Sequence, residues 1–110
     1  MTRFAPPPSS PNCVSSRADA GDKVHHIRPL AGTDLSKVKA VVQGMPRTEI
    51  VEEADGYLKA VFTSALFRFK DDVEFEQEGD VVHVRSASRV GYGDLGANRK
   101  RVEAIRAALG

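Results

Sequence analysis

Four arginines, two serines and an asparagine crowd one stretch of the chain, Arg85 to Glu103, RSASRVGYGDLGANRKRVE. Guanidinium groups bind carboxylate or phosphate through paired N–H donors, while hydroxyls and amides fix orientation. Arg85, Ser86, Ser88, Arg89, Asn98 and Arg101 are therefore candidate binding residues for an anionic small molecule or headgroup. On a strand, Val82, Val84, Ser86 and Ser88 point one way, and His83, Arg85, Ala87 and Arg89 the other. Asn98 falls within the apolar stripe of the helix that follows, with Asp94 and Arg101 on its flank. A core-facing amide must find partners, because stranding it costs about 1–3 kcal/mol. Asn98 either pairs with Ser86, Ser88 or turn backbone, or it floors a polar pocket walled by Arg101.

Asp71 supplies a second kind of chemistry. It is in phase with Val73 and Phe75, which makes it the inward-facing acid of the Asp71-Asp72 pair. It needs a cation, from Arg85, Arg89 or Arg101; alternatively, with His83 or Tyr92 beside an arginine, it is a candidate acid–base catalyst. Gly91-Tyr92-Gly93-Asp94-Leu95-Gly96 reads as G-x-G-x-x-G, but too little chain follows for the next strand and the ribose-binding acid of a dinucleotide fold. Asp94 is placed to occupy the free amides of the helix start, leaving that turn capped. His25-His26 and His83 lack metal-ligand spacing to a second cluster, and neither a nucleophile triad nor a P-loop can be assembled. No cofactor or metal is expected.

These residues must be positioned by a few short elements. Leu35, Val38, Val42 and Met45 form one apolar stripe, predicting a helix over Thr33–Gly44, capped by Thr33 or Asp34 and ended by Gly44 and Pro46. Two hairpins follow. Glu49–Glu53 and Tyr57–Ser64 meet at Ala54-Asp55-Gly56, and the run around Val73 and Phe75 turns at Glu78-Gly79-Asp80 into Val81–Arg89. Val24, Ile27 and Leu30 suggest a further edge strand near Pro29. Leu95, Val102, Ile105 and Leu109 share one face of a closing helix. The expected fold is α+β: a four-strand, possibly five-strand, antiparallel meander with two helices packed on one face. Residues 1–22, rich in proline and serine, read as an extended leader, and residues 23–110 as a single domain.

Composition narrows the function classes. The 110 residues suit one domain, and 16 Lys and Arg against 15 Asp and Glu give no general field for nucleic acid. Charge is segregated, however: residues 48–80 hold ten acids and three bases, while both flanks are basic. The plain expectation is solvated strand faces and attraction between layers. The single Cys13 forms no intramolecular disulfide, which favours a reducing compartment. No run has the length of a spanning helix, and residues 1–16 lack a signal peptide's apolar stretch. The chain as written is expected to be cytoplasmic, or periplasmic or membrane-anchored if a leader has been removed; peripheral membrane association stays open.

Several segments resemble the domain of unknown function 1499 family. They are Pro11-Asn12-Cys13-Val14-Ser15-Ser16, Phe67 with Asp71-Asp72-Val73, and Arg85-Ser86-Ala87-Ser88-Arg89-Val90-Gly91-Tyr92. The last continues through Asp94-Leu95-Gly96 and Asn98-Arg99-Lys100-Arg101-Val102-Glu103. Gly93 stands where the family commonly has serine. The resemblance implies bacterial and plastid relatives, many with an upstream membrane or export segment, and no activity. It places Cys13 in a matched segment with no base to activate its thiol, so burial of Cys13, with the leader packed on the domain, is the expectation.

Three functions compete on this basis: a binding module for an anionic small molecule or headgroup at the arginine-lined turn, a structural or protein-interaction domain in which Asp71, the arginines and Asn98 latch helix to sheet, and an acid–base enzyme built on Asp71 with His83 or Tyr92. An arginine site would be lost in Arg89→Ala or Arg101→Ala. A latch would instead lose stability in Asp71→Asn.

Overall fold

A computed structural model describes residues 2–110. The elements run β1 (Cys13–Ser15), β2 (Leu30–Ala31), α1 (Leu35–Gln43), β3 (Thr48–Ala54), β4 (Tyr57–Thr63), β5 (Lys70–Glu78), β6 (Val81–Ser88) and α2 (Ala97–Leu109). The fold is α+β. The predicted meander β3–β4–β5–β6 is present, but the antiparallel sheet has six strands, because β1 and β2 both pair with the outer edge of β6. Three-residue and two-residue strands show no alternation in sequence, which is why a four- or five-strand count undershoots. The anticipated strand at Val24–Leu30 begins instead as a turn held by Asp22, whose carboxylate accepts from the amides of Val24 and His25; His26 makes an isolated parallel bridge with Ser15, and the antiparallel ladder with β6 starts after Pro29.

Local chemistry explains the elements. Asp34 caps α1 by accepting from the Lys37 amide at 3.0 Å, and Gly44 closes it. Asp55-Gly56 turns β3 into β4 with Gly56 in the left-handed region at φ 72°. β3 is the free edge; it is mostly exposed, carries Glu49, Glu52 and Glu53, and breaks register between Ile50 and Glu52, all of which discourage edge pairing.

Both helices lie on one face. Val38 and Val42 of α1 and Val102 and Ile105 of α2 pack against Leu58, Ala60, Val73, Phe75, Val82 and Val84. Each buried Val, Leu, Ile or Phe among them contributes about 1.5–3 kcal/mol. The stripe of α2 is Asn98, Val102, Ile105 and Leu109. Leu95 does not join it: the helix starts two residues later, and Leu95 sits at φ 54°, 97% exposed.

The residues before β1 cover the helix-free face, with Phe4 buried. Here the segregated charges meet. Glu76 accepts from Thr2 Oγ1 and the Arg3 amide at 2.6 Å each and from Arg17 Nε at 3.0 Å. The Arg3 guanidinium lies 3.7 Å over the Tyr57 ring, and Tyr57 donates to Glu74 at 2.6 Å. The acidic hairpins and basic flanks are thus partners across one sheet face.

Candidate functional site

The antiparallel register sets the two ends of the sheet apart. Both hairpin turns, at Asp55-Gly56 and Gly79-Asp80, fall at one end; the α1–β3, β4–β5 and β6–α2 loops all fall at the other. The start of α2 is carried over this second end, and the polar cluster predicted from sequence divides around it.

Ser86, Ser88, Asn98, Arg101 and Asp71 come together on the helix-facing side. Asn98 is fully buried; its Oδ1 accepts from Ser86 Oγ at 2.7 Å and Arg101 Nη1 at 2.9 Å. Its Nδ2 donates to Asp94 Oδ2 at 2.7 Å, Ser88 Oγ at 2.9 Å and the Asn12 carbonyl at 3.2 Å. Arg101 Nη2 reaches Asp71 Oδ2 at 2.7 Å, and its guanidinium lies 4.9 Å from the Phe62 ring centroid. The cation expected for Asp71 is thus Arg101. The N-cap of α2 is Gly96, not Asp94, but the Asp94 carboxylate two residues earlier accepts from the amides of Gly96 and Asn98 and so satisfies donors at the helix start. Burial pushes the Asp94 carboxyl up, but the Asn98 side chain and these amides outweigh it and hold the carboxyl below its ordinary value.

Arg85 and Arg89 lie across the sheet, away from this cluster. Arg89 makes a two-bond pair with Asp72 at 2.9 and 2.8 Å, which lowers the Asp72 carboxyl. Arg85 donates to the Ala5 carbonyl at 3.0 Å and stands 3.9 Å from Glu74. The six residues therefore do not line one turn, because alternation along β6 puts a sheet between them. The acid–base set is likewise dispersed. His83 is on the far face between Ser16 Oγ at 2.8 Å and Glu78 at 3.2 Å, and Tyr92 is 76% exposed. Among the described residues no three His, Cys, Asp or Glu side chains are grouped to hold a metal ion.

Sequence reasoning missed Asn12 and the loops. Asn12 Nδ2 donates to the Gly91 carbonyl at 2.7 Å, while its own carbonyl also accepts from the Ser88 amide, so it ties the leader to the β6–α2 loop. Beside the polar cluster opens a cleft of about 360 Å³, with Asp71, Ser88, Asp94 and Arg101 at its base. Its walls are Leu66, Phe67 and Phe69 from the β4–β5 loop and Val90 and Leu95 from the β6–α2 loop. Phe67 and Phe69 stack at 5.6 Å. Of the eight large apolar residues exposed on the described chain, these five and Tyr92 lie in the two loops. The available signal was Ala65-Leu66-Phe67-Arg68-Phe69, an apolar run where a connection normally carries turn residues.

The backbone singles out the same end. All three non-glycine residues with positive φ among the described residues are there, one per loop: Arg47 at 54°, Arg68 at 59° and Leu95 at 54°. Each costs about 1–2 kcal/mol, and such strain collects where a surface is shaped for use.

Fold and site together define a small α+β domain with an internally satisfied polar cluster beneath an apolar, strained loop end. The sequence profile of the family described as "Protein of unknown function (DUF1499)" matches residues 3–109, and the chain belongs to that family. No curated protein matches the chain. No helix among the described residues is long and apolar enough to cross a membrane.

Proposed function

We propose that this is a non-catalytic binding domain whose working surface is the three-loop end, held in shape by the Asp71–Arg101–Asn98 latch. The observation that carries this is the gathering of six exposed apolar side chains on two loops, against two elsewhere on the described surface, Val24 and Val51. Scattered apolar residues need no explanation; a contiguous group on strained loops marks a contact surface.

The polar cluster supports the frame rather than the ligand. Arg101 already holds Asp71, Ser86 and Asn98, so an anion arriving there would have to displace a carboxylate. Two carboxylates, Asp71 and Asp94, line the same cleft as that one guanidinium. Arg85 and Arg89 are engaged on the other face. These contacts favour the latch over the arginine-lined anion site, and the separation of Asp71 from His83 leaves the acid–base reading without an assembled pair.

The test is titration with Nile red, a neutral dye whose fluorescence rises in apolar surroundings, and with dodecyl maltoside below micelle formation. Saturable binding that disappears in a folded Phe67→Ser/Leu95→Ser variant supports the reading. Absence of binding, or binding indifferent to both substitutions, refutes it.

A further inference from the structure

Resting on the reading that the three-loop end is the binding surface, we infer that its partner is an anionic lipid bilayer. The apolar loop side chains enter the interface and a ring of cations meets the headgroup phosphates. The apolar part is Leu66, Phe67, Phe69 and Leu95, on loops that leave the same end of the sheet. Around it stand Arg47, Arg68, Lys70 and Lys100: Arg47 and Lys100 border the cleft that adjoins Ser64, and Arg68 and Lys70 flank the Phe67–Phe69 stack in sequence. None of these four forms an ion pair among the described residues. Most other arginines of the protein are spent on internal carboxylates, as Arg3, Arg17, Arg89 and Arg101 are.

Charge complementarity selects the partner. The opposite end of the sheet carries Asp55 and Asp80 in its turns, neither in an ion pair among the described residues, while Glu53 and Glu78 beside them are held by Lys39 and Arg17. At the loop end, Asp71 and Asp72 are neutralised by arginines, Asp94 is turned onto helix amides, and Glu49 lines one depression with Arg47, Arg68 and Lys70, three cations to one acid. A protein with a net charge of only +1 is thus polarised, one end attractive to an anionic surface and the other repelled by it. Apolar side chains at the tip of basic loops match the layered chemistry of a membrane interface, with hydrocarbon below and phosphate above. Lysine and arginine stems reach that level while keeping their charges in the headgroups.

The experiment is co-flotation of the full chain with vesicles of phosphatidylcholine alone and of phosphatidylcholine mixed with phosphatidylglycerol, beside the Nile red titration. The expected result is retention on the anionic vesicles only, weakening as salt is raised. Arg68→Glu/Lys100→Glu, both at exposed positions, is expected to lower that partitioning at least about tenfold while Nile red binding persists. Leu66→Ser/Phe67→Ser is expected to lose both. Nile red binding without vesicle retention, or equal retention on neutral vesicles, overturns the lipid partner and leaves the binding surface standing; absence of both signals overturns both.

Discussion

Asp71→Asn, Arg101→Met and the double variant form a thermodynamic cycle on the latch. The two side chains are 11% and 15% exposed, and their charged atoms lie 2.7 Å apart. Unit charges about 4 Å apart attract by roughly 4 kcal/mol at an effective dielectric near 20. Arg101 keeps its bonds to Ser86 and Asn98 when Asp71 is neutralised, which offsets part of the loss, but it remains a cation against Phe62 with no carboxylate. The expected cost of Asp71→Asn is about 3 kcal/mol, at the lower edge of the 3–5 kcal/mol for breaking a buried pair. Arg101→Met strands the acid at a similar cost. The double variant strands neither charge, so it should cost at least about 2 kcal/mol less than the sum of the two. Urea unfolding followed by far-ultraviolet circular dichroism suits a chain with no tryptophan. If Asp71→Asn stays within about 1 kcal/mol of wild type, as an exposed ion pair would, the cluster does not hold the loops and the latch is refuted.

Leu95→Gly removes an exposed side chain from a left-handed position, so the strain it relieves, about 1–2 kcal/mol, meets the added freedom of the unfolded glycine, about 0.5–1 kcal/mol. Stability should hold or rise slightly in urea unfolding while Nile red affinity falls. Cys13 is buried, and burial raises its thiol above the ordinary value; its labelling by a disulfide reagent should be negligible in the native protein and complete in urea. His25 lies between the Ser10 carbonyl at 2.9 Å and the Asp22 carboxylate at 2.7 Å, and these raise its ring above the usual value and lower Asp22. The His25 contribution is therefore full below its unfolded value near 6.5 and lost as pH rises through the folded one, whereas that of Asp22 is present above about 3.8 and lost as pH falls through its lowered value. His25→Gln should flatten the fall in urea midpoint that begins above about pH 6.5; an unchanged slope contradicts the clamp.

The central fold was legible because its signals are local. Asp55-Gly56 sets a hairpin, and the stripe from Leu35 to Met45 sets a helix, whatever surrounds them. The inward phase of Asp71 was equally legible and led to an arginine, since an acid in register with Val73 and Phe75 must find one. The choice of Arg101 over Arg85 or Arg89 follows from alternation along β6, already visible in the sequence, combined with the packing of α2, which is not. β1 was hidden because three residues buried on both faces carry no period, and its partner β6 lies some seventy residues away. Leu95 misled because its spacing from Val102 fits a helix, but the left-handed turn at Leu95 and Gly96 ends that phase before the helix begins. The apolar loops were passed over for a related reason: Phe67 and Phe69 look like core residues until the sheet leaves them without a layer to pack against.

The most direct test of the binding surface is an amide-resolved NMR titration of the full chain with dodecyl maltoside below micelle formation. The account predicts saturable shifts at the amides of 64–69 and 90–96, with little change along the leader-covered face around Arg85 and Glu76. Shifts centred on that face, or none at the loops, would contradict it.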